Sequence, residues 1–277
     1  MQIAVKKADM NGGVYDKAYL TFVQTPAEIS DDVPVVSGTI EFNKAMGSYV
    51  GAEVQVMAWS MTDEITITVF YEVEGVTYQG QTITTSVKAK AMEQIQKNSA
   101  TKDICIAMLN YGAAVQVAFN HCSANESSLA NYDLTAEQKV VPSVEFGGEV
   151  VLPDGALKPA TKSLSFGAKV LIQFPIKIAD FSGYEVRYTI EGVDGEFIVP
   201  DEDIRVQGSF RGPSIAAKPL YMRSAYTIAI YDKATGEKVY GDIVCSIADL
   251  AKAHENKTYH NVASAMLAYG DAVDAIY

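Results

Sequence analysis

The side chains in this sequence that could hold a metal, attack a carbonyl or move a proton are three His, three Cys and 34 Asp and Glu. His254-Glu255 begins like the helix of a zinc protease. That chemistry needs two His one helical turn apart, so that both rings meet one ion. The next His is His260, and the stretch between reads as an interhelix turn, so a polar loop is expected. Gly212-Pro213-Ser214-Ile215-Ala216 approximates a nucleophile elbow. An elbow requires a strand, a sharp turn and a helix, whereas Pro213 sits among strand-like segments, so a turn is expected. Asp201-Glu202-Asp203 follows Pro200, and Asp31-Asp32 precedes Val33-Pro34. Neither cluster has the spacing of a calcium loop, and both read as solvated turns. With 34 acids, the sequence singles out no carboxylate pair for glycoside hydrolysis. No Gly-rich phosphate loop follows a strand. The expectation is therefore no catalytic residue, no cofactor-binding residue, no metal ligand and no cofactor.

Two residue classes remain. The chain has 16 Tyr and a single Trp, Trp59. Tyr joins a flat apolar face to a polar tip, which suits recognition surfaces, and it is also a good strand former. Cys105 falls early in an expected helix and Cys122 just past its end. Seventeen helical residues span roughly 25 Å, far beyond the ~7 Å Cα separation a disulfide tolerates. Three free thiols are expected, in keeping with a cytosolic protein or with the surface of an anaerobe.

The elements that would position these groups occur twice. Ala107-Met108-Leu109-Asn110-Tyr111-Gly112-Ala113-Ala114-Val115 recurs as Ala265-Met266-Leu267-Ala268-Tyr269-Gly270-Asp271-Ala272-Val273, with seven of nine residues identical at an offset of 158. Ser86-Val87 and Ser246-Ile247 match upstream at an offset of 160. Both stretches read as helix–turn–helix, with Ser86 and Ser246 as N-caps. Ile104, Met108, Tyr111 and Val115, like Val262, Met266, Tyr269 and Val273, are spaced to share one apolar helical face. Gly112 and Gly270 cost about 1 kcal/mol relative to Ala inside a helix, which points to close packing against them.

Strands precede each hairpin. Ile65, Ile67, Val69, Tyr71 and Val73 alternate with Thr66, Thr68 and Phe70, Glu74-Gly75 turns, and Thr77 to Ile83 returns. Tyr226, Ile228 and Ile230 alternate, Thr235-Gly236 turns, and Lys238 to Val244 returns. Tyr19 to Gln24 and Lys169 to Phe174 read as matching early strands, and Thr39-Ile40-Glu41 pairs with Thr189-Ile190-Glu191. The expected fold is thus α+β, a tandem duplication in which each half is an antiparallel sheet or sandwich-like unit followed by a helical hairpin. Its expected boundaries are residues 1–125, a connector over 126–154, and 155–277.

Met108-Leu109-Asn110-Tyr111-Gly112-Ala113-Ala114, followed by Leu129-Ala130-Asn131-Tyr132-Asp133-Leu134-Thr135, resembles a repeated module of secreted and cell-surface proteins of gut Firmicutes. The resemblance covers mainly residues 65–139, with a fainter echo in 226–277, where Ala268 replaces Asn110 and the tail is missing. It implies an extracellular setting and no mechanism.

The formal charge of −12 (22 − 34) argues against nucleic acid or an anionic membrane as partner. No apolar run approaches the ~20 residues that span a bilayer, so no membrane insertion is expected. The N-terminal residues Met1 to Asp9 carry no signal-peptide pattern, which leaves a cytoplasmic protein or the mature or excised part of an extracellular one. The expected function is a non-enzymatic extracellular binding or spacer module, adhesin-like or carbohydrate-associated, with a glycan or a surface protein as partner. The alternative is a carboxylate-dependent hydrolase acting on glycans.

Overall fold

In a computed structural model of the chain, residues 1–28, 33–166 and 169–277 are described. They form two compact units, Met1–Lys139 and Val140–Tyr277. The 126–154 segment, expected as a connector, is divided between them.

The first unit contains β1 (Gln2–Lys6), β2 (Lys17–Thr25), β3 (Val36–Glu41), β4 (Lys44–Met46), β5 (Tyr49–Glu53), β6 (Glu64–Val73) and β7 (Val76–Thr85), then α1 (Val87–Gln96) and α2 (Lys102–Phe119). One antiparallel sheet has the order β3-β2-β6-β7 and another the order β1-β5-β4. Alternation turns Leu20, Ile65 and Ile67 to one face of the larger sheet, where they pack with Ile3 and Ala52 of the smaller one and with Val54 just beyond it. Met10, Ala18, Val50 and Val69 form a second cluster. The β6–β7 hairpin turns on Glu74 (φ 50°) and Gly75 (φ 76°), the pair of positive φ values that suits the twist of adjoining strands. Ser86 then caps α1, its Oγ accepting from Ala89 N at 2.9 Å.

The second unit contains β8 (Ser163–Phe166), β9 (Val170–Gln173), β10 (Ile176–Lys177), β11 (Tyr184–Ile190), β12 (Val193–Ile198), β13 (Ile204–Gln207), β14 (Phe210–Ala217), β15 (Tyr226–Asp232), β16 (Lys238–Cys245), α3 (Ile247–Ala251) and α4 (His260–Asp274). Its sheets are β12-β11-β15-β16 and a five-stranded group, β10-β14-β9-β8 with β13 on β14. Val186, Tyr226, Ile228, Ile230 and Ile243 are buried on one face of the four-stranded sheet. Ser246 caps α3 within a full capping box: its Oγ accepts from Asp249 N at 3.0 Å, and Asp249 Oδ2 accepts from Ser246 N at 2.7 Å.

The expected fold class is corrected. Among the described residues the chain is mostly β, with sixteen strands in four antiparallel sheets and four helices. It is not a tandem duplicate of sandwich-like sheet plus helical hairpin. β2 lies inside a four-stranded sheet, whereas β9, its expected counterpart, pairs with β8 and β14 in a different sheet. Thr39 is on the edge strand β3 and Thr189 on the interior strand β11, so that match fails too. The hairpin is incomplete in the second unit, where five residues of α3 run into a 3-10 turn, Lys252–His254. Periodicity marks the local strands and helices but carries no information about which strands pair.

Of the expected apolar faces, Val262 and Met266 are buried in α4 with Tyr269 and Val273 half-buried, whereas in α2 only Tyr111 and Val115 are buried. In α2 the most buried ridge is Cys105, Leu109, Gly112 and Gln116, while Ile104 and Met108 are half-buried. The reason is Gly112: a Cβ there would stand 2.7 Å from Met61 Sδ and 3.1 Å from both Ala58 O and Ala130 Cβ. The helix backbone therefore rests on the 3-10 segment Ala58–Ser60. In α4, the three atoms nearest an added Cβ on Gly270 all belong to Met222, its Sδ at 2.8 Å.

Candidate functional site

The residues singled out for chemistry are scattered. His254 lies in a 3-10 turn, its ring 5.4 Å from Phe166 and 5.9 Å from Tyr259, and burial pushes its pKa down. His260 opens α4, 5.7 Å from Phe146. Gly212 to Ala216 run along β14, so no strand–turn–helix elbow forms. Ser214 is buried there and accepts from Gln173 Nε2 at 3.1 Å. Asp201-Glu202-Asp203 form a one-turn 3-10 helix, with Asp201 paired to Lys233 at 3.0 Å. Asp31-Asp32 lie outside the described residues.

Two features emerge from the folded chain. The first is the outer face of the sheet β3-β2-β6-β7. Strand register lines up rows across it: Thr39, Thr21, Thr68 and Thr82 form one, and Ser37, Val23, Thr66 and Thr84 form the next. The Thr68 and Thr82 hydroxyls are 3.0 Å apart, and those of Thr66 and Thr84 are 3.1 Å apart. Beside these rows Tyr19 and Phe70 stack at 5.4 Å with 16° between rings, both half-exposed. Lys17 lies 5.7 Å over the Tyr19 ring while pairing with Glu41 at 2.7 Å. The result is a sheet face of hydroxyls bordered by an aromatic pair. No single residue signals it; it follows from β-branched Thr on four strands, at alternate positions of β6 and β7, falling into register.

The second feature is a cluster of Asp63, His121 and Cys122, whose ligand atoms all lie within 4.8 Å of one another. Among the described residues it is the one group of three or more His, Cys, Asp and Glu drawn so close. The three cysteines are free and buried. Burial pushes the thiols of Cys105 and Cys122 up and that of Cys245 up to about 12. Burial also holds the His121 imidazole below its ordinary pKa, against the opposing pull of Asp63 and Glu28. Linear spacing hides this group, because Asp63 belongs to the approach to β6 and the other two to the end of α2. The adjacent His121-Cys122 pair is the one signal of it in the sequence.

No family model matches this chain, and none of the curated proteins matches it. Among the described residues, no helix is long and apolar enough to cross a membrane.

Proposed function

We propose that this protein is a non-enzymatic binding module of an extracellular or cell-surface protein, and that the outer face of β3-β2-β6-β7 receives a carbohydrate chain. The observation that carries the reading is the register of Thr21, Thr39, Thr66, Thr68, Thr82 and Thr84 beside the Tyr19–Phe70 stack. A sugar ring presents an apolar face of C–H groups and a rim of hydroxyls. Flat aromatic rings cover the first, and threonine hydroxyls donate to and accept from the second. A sheet face is open at both ends, so it suits an extended polymer better than a small molecule, which binds in concave pockets. The extracellular setting comes from the resemblance of residues 65–139 to a surface-protein module, and the charge of −12 fits a neutral polymer as ligand.

Glycan-array binding followed by titration with the selected polymer tests this. Tyr19→Ala with Phe70→Ala is expected to weaken binding about tenfold or more, equivalent to about 1.4 kcal/mol. Thr68→Val, which removes one hydroxyl at constant shape, is expected to cost less. Binding unchanged in the double variant, or catalytic shortening of the polymer, would sink the reading; the latter would favour a hydrolase.

A further inference from the structure

Asp63 stands one residue before β6 and is 2% exposed. Its hydrogen bonds come from neutral donors, Gln24 Nε2 to Oδ2 at 2.8 Å and Ala27 N to Oδ1 at 3.2 Å. Among the described residues no Lys or Arg pairs with it. A buried carboxylate is ordinarily paired with a cation or bound to a metal, because an ionised group out of water is costly.

The end of α2 brings the complementary groups. Asn120 closes the helix in the left-handed conformation at φ 53°, and Cys122 has φ 45°. His121 N donates to Gln116 O at 3.0 Å between them. This double reversal lets two consecutive side chains converge on Asp63. His121 Nε2 is buried and has no hydrogen-bond partner among the described residues. A buried nitrogen of that kind calls for a partner. Trp59, with ring centroids 5.7 Å from both His121 and Phe119, lies against the imidazole.

We propose that Asp63, His121 and Cys122 bind one divalent transition-metal ion, zinc by the chemistry of the set. Thiolate, imidazole and carboxylate are the three ligand types that zinc accepts, whereas calcium and magnesium take oxygen alone. Tetrahedral zinc with these ligands sets donor–donor distances of roughly 3.3–3.6 Å. The ligand atoms, all within 4.8 Å of one another, therefore close by no more than roughly 1.5 Å on binding, within the reach of χ adjustments. Gln24 and Ala27 hold the carboxylate from behind, the supporting role that outer hydrogen bonds play around metal ligands. Three protein ligands leave one position for water or for a group brought by a partner. The ion would join the end of α2 to the approach to β6, and through Gln24 and Ala27 to the end of β2. The site is independent of the carbohydrate face proposed for β3-β2-β6-β7.

The test begins with the 277-residue protein stripped by a chelator, then titrated with zinc against a chromophoric competitor and, separately, with cobalt(II). One zinc per chain is expected, and cobalt is expected to give a thiolate-to-metal charge-transfer band. Cys122→Ser abolishes that band and His121→Ala weakens zinc binding at least tenfold, while Cys105→Ser and Cys245→Ser keep both. Zinc at a hundredfold excess over Kd is expected to raise the Tm of the wild type by roughly 5–10 °C and to leave that of His121→Ala unchanged. Should Cys122→Ser fail to fold, X-ray absorption at the zinc edge of the wild type decides: one sulfur with nitrogen and oxygen neighbours supports the site. A shell without sulfur, sub-stoichiometric binding, or a band that survives Cys122→Ser overturns it.

Discussion

β3-β2-β6-β7 and β12-β11-β15-β16 are four-stranded antiparallel sheets whose last strand runs into a serine-capped helix. Their outer faces differ. The first carries threonine rows and the Tyr19–Phe70 stack. The second carries Arg187, which donates to Glu185 at 2.5 Å, lies 3.5 Å from Glu196 and sits 4.3 Å over the Tyr231 ring. Arg187 is thus committed to partners within its own unit, whereas each threonine hydroxyl keeps unused donor or acceptor capacity. The same strand order supports a closed ionic cluster in one unit and an open polar face in the other, so strand order says little about binding and the register of side chains says more.

The helices differ in the same way. Gln116 is fully buried in α2: its Nε2 donates to Thr62 Oγ1 at 3.2 Å and to Ser128 O at 3.0 Å, and its Oε1 accepts from Ala130 N at 2.8 Å. Asn110 adds a bond from Nδ2 to Gln138 O at 2.7 Å and accepts from Asn131 Nδ2 at 3.0 Å. These two amides fasten residues 128–138 against α2. In α4 the corresponding positions are Ala268 and the exposed Asp274.

Truncating the two helix tyrosines is expected to have the largest effect and to separate the units. Tyr111 is 5% exposed and Tyr269 half-buried. Tyr111→Ala should cost about 3–5 kcal/mol, as for a buried aromatic, and Tyr269→Ala roughly half that. Trp59, the lone Trp, reports on the first unit in denaturant unfolding, and hydrogen exchange reports on the second. Equal losses would mean that the two faces are equally packed, contrary to the deeper burial of Tyr111. Next in size, Gln116→Ala should cost about 2–4 kcal/mol, because it strands Ser128 O and Ala130 N. Asp274→Ala, its counterpart by offset, should change stability by no more than about 0.5 kcal/mol. Hydrogen exchange across 126–138 should rise sharply in the first variant, and protection retained there would show that the tail holds without its amide clamp.

Parts of this molecule are readable in the sequence because some signals are local. Alternation over Ile65–Val73, the Glu74-Gly75 turn and the Ser86 and Ser246 caps are each fixed by a few neighbouring residues, and each appears where its pattern lies. Pairing among strands is a long-range choice, so β9 resembles β2 in pattern and yet belongs to another sheet. The burial of Gln116 runs against residue type, since apolar spacing does not place a polar side chain on a helix ridge. The threonine rows and the Asp63–His121–Cys122 cluster are illegible for a related reason: both are made by juxtaposition of segments far apart in the chain.

The smallest expected effect tests the repeated glycine, and its size differs between units. Replacing a mid-helix Gly by Ala gains about 1 kcal/mol of helix propensity wherever the added methyl fits. At Gly112 it does not fit: Ala58 O and Ala130 Cβ, each 3.1 Å away, are a backbone atom and a short side chain that cannot rotate aside. Overpacking of this kind costs about 1–3 kcal/mol, so Gly112→Ala should lose about 1 kcal/mol net. At Gly270 the three nearest atoms belong to Met222, whose flexible side chain can swing away, although its Cβ at 3.1 Å moves less freely. Gly270→Ala should therefore fall within about 0.5 kcal/mol of wild type. Met61→Ala offers a further control: it removes the sulfur at 2.7 Å but leaves Ala58 O in place, so Gly112→Ala should remain destabilising in that background. If the Met61→Ala background turned Gly112→Ala into a stabilising change, the flexible sulfur and not the 3-10 backbone would be what demands glycine in α2, and the two helices would share one packing rule.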